Sequence, residues 1–533
     1  MISSTQLRQL RFNFRISKNH KQLPEVSLIA DKTSTALFNV AGMQPLIPYL
    51  MGKPHPLGKK LFNIQKCIRT VDIDEVGDAS HLTFFEMMGN WSLGDYFKKD
   101  AIHRSREFLT KVLNFDPRKL AVTVFAWDEN APRDEETASY REEEGKKSWI
   151  NLKISYLPAK NNRRSPGPVG PCGPDTEIFY RVGESEFPPE SSNVENDEDN
   201  RMEIRNNVFM EYYRDEAGKL SKLTQQNVDT GMGFERMCSV LQHVESVYET
   251  DLFTPMLQVI ARLTGSTYTD HIKPFRIIAD HARTAFMLIN DGLLPSNIWA
   301  GYVLRMIIRR MVFNIKLLGD ISYENIIKEL LESVKDLRAF NQEEIIRVMM
   351  EEINLFNKTV REWHAILIKL INTQDPANKT FSGNEAFKLY DTYGFPLELT
   401  KNVLKEHGLT LDEEGFHKAM SQAKEKSRQS TKEMFKKGID WSKYLEGIPQ
   451  TEFIGYENLN FNEAKLLKRI EIPTSDSTGK ESWQEVLVFD KTPFYPEMWG
   501  QMWDFWEITL ENGETKKVTN VQKFAGVILH FVA

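Results

Sequence analysis

The run His81-Leu82-Thr83-Phe84-Phe85-Glu86-Met87 opens the stretch HLTFFEMMGNWSLGDYF (His81–Phe97), the second arm of a strand–loop–strand unit. Its first arm is Ile64-Gln65-Lys66-Cys67-Ile68-Arg69, and Asp72-Ile73-Asp74-Glu75-Val76-Gly77 makes the connection. Side chains alternate between the faces of a strand, so Phe84 and Phe85 point opposite ways. One ring can stack on a planar base while the other enters the core. Arg69, at the end of the first arm, would face a ligand across the hairpin.

A second element is Val228-Asp229-Thr230-Gly231-Met232-Gly233-Phe234-Glu235-Arg236. Two glycines two apart let backbone approach a ligand closely, and a helix is expected to begin near Glu235–Arg236. Asp229 before the glycines suits an ammonium group, and Arg236 after them suits a phosphate. Taken alone, this pattern also fits a plain strand-to-helix turn.

The 533 residues are 41% hydrophobic and 27% charged, the proportions of a soluble globular chain of about three domains. No window approaches the ~18 uninterrupted apolar residues of a membrane span, so no membrane partner is expected. Cys67, Cys172 and Cys238 are few, odd in number and far apart, which excludes a disulfide framework and a Cys-x-x-Cys metal site. Net charge is -7, against a protein coated in positive charge. The segment Thr264–Asp320 runs the other way, with Lys273, Arg276, Arg283, Arg305, Arg309, Arg310 and Lys316 against Asp270, Asp280, Asp291 and Asp320. Arg305, Arg309 and Arg310 fall within two helical turns, a cluster that an intervening phosphate backbone would relieve. Met1–Leu23 is basic and serine-bearing. It reads as an amphipathic helix capped by Ser3 or Ser4, with Leu7, Leu10 and Phe14 on one face, or as a mitochondrial transit peptide. A cytoplasmic location is the expectation, a mitochondrial one the alternative.

Three regions follow from patterning: residues 1–245 mix strands and helices, 246–442 are helical, and 443–533 are β-rich. Leu120–Trp127 and Ile204–Tyr213 read as strands. Asn161–Asp175 reads as a Gly/Pro-rich loop, and Gly183–Asn200 as an acidic insertion. Lys424–Lys437 reads as a Lys-rich helix. The last strand, Gly526–Ala533, reads as running to the end of the chain without a closing partner, as in a domain cut short.

The strings LFNVAGMQP (Leu37–Pro45), QKCIRT (Gln65–Thr70), His81–Phe97, GPCGPDTEIFY (Gly170–Tyr180), NVDTGMGFER (Asn227–Arg236), RIIADHART (Arg276–Thr284), GYVLRMIIRR (Gly301–Arg310) and LYDTYGFPLELT (Leu389–Thr400) together resemble the alanyl-tRNA synthetase family of class II aminoacyl-tRNA synthetases. The resemblance runs nearly end to end. It implies an α+β fold: a class II antiparallel sheet flanked by helices (1–245), an all-helical tRNA-recognition domain (246–442) and the incomplete start of an editing domain (443–533). It implies a ligase that forms alanyl-adenylate from alanine and ATP with Mg²⁺, then transfers alanine to tRNA(Ala). By the same resemblance Arg69 grips the α-phosphate, and Arg236 lies near the ATP tail. Phe85, with Phe84 as alternate, stacks on adenine, and His81, Glu86, Gly231 and Gly233 line the nucleotide site. Asp229 holds the alanine ammonium, with Asn206 and Val208 walling its side-chain pocket. Asn297 and Asp391 read the acceptor-stem G·U pair, while Arg305, Arg309 and Arg310 meet the RNA backbone.

Zinc is expected only in a longer chain carrying the family's editing motifs, and a separate editing factor is a possible partner. A pocket that admits alanine cannot exclude glycine by size, and serine adds only a hydroxyl. Discrimination of that kind is worth ~1–3 kcal/mol, so misactivation of both is expected. The other readings are a non-aminoacylating paralogue or RNA-binding protein that keeps the fold, and an enzyme that adenylates without charging tRNA.

The departures from the family are one-sided. Arg163, Arg164 and Arg205 stand where the family has tryptophan or another aromatic residue, and Trp299, Trp499 and Trp503 where it has glycine. This pattern is expected of a gene translated with a code its source does not use.

Overall fold

The structure is a computed structural model. It describes residues 1–30, 37–70, 73–128, 132–148, 152–164, 169–182, 192–197, 200–215, 218–296, 299–374, 379–393, 397–422, 444–445, 447–454, 463–475, 481–494, 507–510, 513–524 and 527–532. Two compact units are present: residues 1–296 with 300–349, and 297–299 with 350–533.

The first unit is built on strands β1 (Lys21–Gln22), β2 (Lys60–Ile68), β3 (Phe84–Leu93), β4 (Leu120–Phe125), β5 (Lys153–Leu157), β6 (Arg163–Arg164), β7 (Gly170–Arg181), β8 (Arg201–Arg214) and β9 (Leu220–Gly231). Their order is β1-β2-β3-β9-β8-β7-β4-β5, with β6 on β7. The centre is antiparallel as expected, but β1–β2 and β4–β5 are parallel, so the sheet is mixed. Helices α1 (Ser4–Ser17), α2 (Ile47–Leu50), α3 (Lys98–Glu107), α4 (Glu135–Lys147), α5 (Ala159–Asn162), α6 (Phe234–Gln242), α7 (Thr254–Thr264), α8 (Ile272–Asn290), α9 (Trp299–Leu318) and α10 (Tyr323–Ser333) accompany it.

Helix α1 starts where the sequence says it should. The Ser3 hydroxyl accepts from the Gln6 amide, and the Gln6 side chain accepts from the Ser3 amide. This capping box satisfies two donors the first turn leaves orphaned. Leu7 and Phe14 of α1 are buried.

The first unit continues past residue 245, because α8 is tied to the sheet. The Asp280 carboxylate accepts from the Thr83 amide at 2.8 Å, and Arg283 pairs with Glu235 at 2.8 Å. The expected Gly/Pro-rich loop is a correction. Gly170–Asp175 forms the first half of β7, beside β8, with a register shift between Cys172 and Asp175. A Cβ on Gly173 would lie 1.8 Å from the Phe209 carbonyl oxygen, so only glycine lets the two strands approach. The irregular register accommodates the prolines, which cannot donate to a regular ladder.

The second unit begins within α11 (Gln342–Thr373) and continues through β10 (Thr380–Phe381), α12 (Gly383–Tyr393), α13 (Leu397–Glu406) and β11 (Thr410–Leu411). Leu367, Phe381, Leu389, Leu404 and Phe416 form one core. Then come β12 (Glu452–Phe453), β13 (Leu466–Ser475), β14 (Glu481–Phe489), β15 (Lys491–Thr492), β16 (Glu507–Thr509), β17 (Thr515–Phe524) and β18 (Val527–Val532). The order β13-β14-β18-β17-β16 puts β18 between two antiparallel partners. The last strand is therefore paired on both edges, contrary to expectation. It is buried on both faces, Val527, Leu529 and Phe531 against one core and Ile528 and Val532 against another. Most of the acidic insertion and all of Lys424–Lys437 lie outside the described residues. Among the described residues no helix is long and apolar enough to cross a membrane.

Candidate active site

Strand register decides which side chains share a face. Pairing sets Cys67 opposite Phe85, Trp91 opposite Asp229, Asp229 opposite Val208, Gly231 opposite Asn206, and Asn206 opposite Glu177. With alternation along each strand, one face of the sheet carries Phe85, Met87, Trp91, Asp229, Asn206, Val208, Asp175 and Glu177. Arg69 extends the same face of β2, its amide bonded to the Thr83 carbonyl at 3.0 Å.

At one end of this face the Arg69 side chain is exposed. Its guanidinium carbon lies 5.0 Å from the centre of the half-buried Phe85 ring. Phe84 is 1% exposed, under Arg283 on the other side of the sheet. Of the two phenylalanines, Phe85 is the one a planar ligand can reach.

Trp91 lies six residues along β3 from Phe85, roughly 20 Å at ~3.4 Å per residue. The Trp91 indole Nε1 donates to Asp229 Oδ1 at 2.6 Å. Asp229 is half-buried, and loss of hydration pushes its carboxyl up to about 7 despite the Trp91 hydrogen bond, which pulls the other way. Asn206 Oδ1 accepts from the Gly231 amide at 2.9 Å. A Cβ on Gly231 would sit 3.0 Å from that oxygen and 3.2 Å from Met87 Sδ, so the absent side chain makes room for these two neighbours. Val208 is buried beside Trp91. Among the described residues no hydrogen bond or ion pair joins Arg69, Asp229 and Arg236 to one another.

Helix α6 begins at Phe234 with Gly233 as its N-cap. Arg236, half-buried, donates to Glu203 at 3.3 Å. Nearby, Arg164 pairs with Glu177 and lies 3.4 Å from Asp175. Burial, then repulsion from Glu203, raises Glu177 to about 7, and burial holds Asp175 well above the usual carboxylate range. This acidic group was missed in the sequence, although residues 175 and 177 alternate onto one face. Trp91 was missed as well, although it falls an even number of residues from Phe85.

One expectation needs correction. Glu86 does not line a nucleotide site on this face, because it follows Phe85 and points the opposite way. It is buried among Arg8, Arg283 at 3.6 Å and Arg338 at 3.7 Å. Burial alone would raise its pKa, but Arg8 and the other arginines hold it below the usual value. Arg310, expected on the RNA backbone, donates to the Ile73 carbonyl of the β2–β3 connection. His81 pairs with Asp78 and, at 3.2 Å, with Glu75. Arg305 and Arg309 lie on α9. Asn297 and the Asp391 side chain lie outside the described residues. Arg205, expected to depart from an aromatic position, is 1% exposed.

Residues 6–533 match the family described as tRNA synthetases class II (A), the class whose fold this sheet carries. An alanine–tRNA ligase of Borrelia hermsii is 44% identical over 458 residues, 81% of this chain and 74% of that protein. One from Treponema denticola is 44% identical over 460 residues, 82% of this chain and 75% of the relative. One from Thermotoga petrophila is 40% identical over 548 residues, 99% of this chain but 61% of the relative. The chain belongs to the alanine–tRNA ligase family of aminoacyl-tRNA synthetases.

Proposed function

We propose that this chain activates alanine with ATP and transfers it to the 3′ end of tRNA(Ala). The observation that carries the reading is Asp229, a carboxylate with one oxygen fixed by Trp91, on the sheet face that also bears Arg69 and Phe85. Membership of the ligase family supports it.

In the first step a carboxylate oxygen of alanine attacks the α-phosphorus of ATP, and the bond to pyrophosphate breaks. Two anions must approach, so positioning and cationic stabilisation supply most of the rate. Arg69 neutralises the α-phosphate, Phe85 stacks on the adenine, and Arg236 meets the polyphosphate after leaving Glu203. Asp229 holds the ammonium, while Asn206 and Val208 bound the methyl group. In the second step a ribose hydroxyl of the terminal adenosine attacks the activated carbonyl carbon and AMP leaves. Among the described residues no group of three His, Cys, Asp or Glu side chains could hold a metal ion. Mg²⁺ would enter on the oxygens of the triphosphate, and no step here is routed through it.

For tRNA, Arg305 and Arg309 are assigned to the phosphate backbone, and Asn297 and Asp391 to the G·U pair. That assignment rests on the family resemblance and on the donors and acceptors an Asn–Asp pair offers to base edges. Alanine-dependent ATP–pyrophosphate exchange tests the first step. It should be lost in Asp229→Ala and Arg69→Ala, and full exchange in both would refute the assignment. Charging of an acceptor helix should fail when its G·U pair becomes G·C.

A further inference from the structure

The indole of Trp91 is tightly enclosed on the site face. A Cβ on Gly89 would fall 2.2 Å from the Trp91 Cη2 atom, and one on Gly42 would fall 3.0 Å from Cζ2. The six-membered ring therefore lies against two glycines that have no side chain to displace it. Leu61, Leu46, Met43 and Val208 complete a cluster in which Trp91 is 0% exposed. With no freedom to turn, the ring delivers its single N–H to one place, Asp229 Oδ1 at 2.6 Å.

That contact is the only hydrogen bond of the Asp229 carboxylate among the described residues. Among the described residues no charged side chain tunes this carboxyl: burial and Trp91 are the two influences on it. The cross-strand neighbours facing it are Val208 from β8 and Trp91 from β3, with Asn206 one step along, and none of them titrates. Trp91 thus does two things. It fixes one carboxylate oxygen, so that the other is presented to a cation in a single orientation. It also donates to the charged form and favours ionisation of a group that burial pushes toward neutrality. The rigid mount limits the loss on binding, because the acceptor is already oriented.

We propose that Trp91 is the positioning residue for the alanine ammonium, acting through Asp229, with Gly42 and Gly89 as its mount. The proposal rests on the reading of Asp229 as the ammonium-binding carboxylate. Trp91→Phe keeps an aromatic ring in the cluster and removes the donor. It should raise the KM for alanine about tenfold or more, the loss typical of a hydrogen bond to a charged group. The KM for ATP should stay within about twofold. The midpoint of kcat/KM for alanine against pH should move upward from about 7, because the only group favouring ionisation is gone.

Leu61→Ala is the control. It loosens the same cluster and lowers Tm without touching the N–H, and should leave the pH midpoint in place. If Trp91→Phe does not fold, benzothienylalanine at position 91 replaces N–H by sulfur in a ring of the same shape, with the same expectations. An unchanged alanine KM and pH midpoint in either variant would overturn the proposal. So would an equal shift of midpoint in Leu61→Ala, since the effect would then be one of packing. Undiminished alanine use in Asp229→Ala would instead bring down the reading beneath it.

Discussion

Among the buried arginines of the first unit, four stand apart for having no carboxylate partner among the described residues: Arg11 and Arg15 at 0%, Arg205 at 1% and Arg141 at 3% exposed. A guanidinium carries five N–H donors and a fixed positive charge. Arg205 donates to Ser105 Oγ at 3.0 Å and to Asn90 Oδ1 at 3.0 Å, the latter oxygen already taken by Arg11 at 2.9 Å. Arg141 donates to Thr176 Oγ1 at 3.1 Å. Among the described residues each of the four keeps at least one buried guanidinium nitrogen without a hydrogen-bond partner, and none forms an ion pair with a carboxylate. Burial, then repulsion from neighbouring arginines, holds Arg11 and Arg205 well below the ordinary value. Burial holds Arg15 at about 10 and Arg141 at about 9. At ~1.36 kcal/mol per unit these two shifts correspond to roughly 3 and 5 kcal/mol of folded-state penalty at pH 7.

Among the described residues the acceptors these guanidinium groups meet range from none at Arg15 to three at Arg205, in partly aromatic surroundings such as the Phe108 ring 5.4 Å from Arg11. An indole fills a comparable volume with one donor and no charge. Arg205→Trp, and Arg11→Trp with Arg15→Trp, should therefore each stabilise the chain by about 1–4 kcal/mol, as replacement of buried ions by packed apolar groups does. Urea unfolding at pH 7 measures this. The same reasoning extends the altered-code expectation from position 205 to 11, 15 and 141: peptide mass spectrometry of protein from its own cells should find tryptophan there. Arginine in those peptides, or a tryptophan variant less stable than the arginine chain, would refute the argument.

Other outcomes follow from the same geometry. Because burial raises Asp229 to about 7, and an ammonium binds only the ionised form, kcat/KM for alanine should rise about tenfold per pH unit below 7 and level off above it. The effect on folding has the opposite sign, since the raised carboxyl withdraws stability as pH climbs from its unfolded value toward 7. Arg283→Met should cost about 3–5 kcal/mol in denaturant unfolding, because it leaves Glu235 buried and removes one cation from Glu86. An effect under about 1 kcal/mol would show that those carboxyls find protons or water without difficulty. Gly173→Ala should destabilise by more than ordinary overpacking, about 1–3 kcal/mol, because its Cβ meets backbone 1.8 Å away that cannot rotate aside. Wild-type stability in thermal unfolding would contradict the strand pairing.

What could be read from residue order alone was local and periodic. The Ser3 cap, the strands around Phe85 and Asp229, and the helix start near Glu235 each follow from neighbours a few positions apart. Alternation along β3 set Phe84 against Phe85, and the same rule followed three steps further would have reached Trp91. What residue order could not supply was partnership between distant strands. The glycine- and proline-rich run at 170–175 looked like a loop because its intrinsic preference is for turns. It became a strand because Gly173 alone could meet the Phe209 carbonyl. Glu86 looked available until α1 and α8 brought Arg8 and Arg283 over it, and Arg205 looked like one more charge until the sheet sealed it from water. Periodicity is a property of a chain with itself, whereas burial and pairing are properties of surfaces that meet only when the chain closes. Tertiary structure therefore decided which carboxylate shares a sheet face with Arg69 and Phe85, which is locked away, and which indole holds the first.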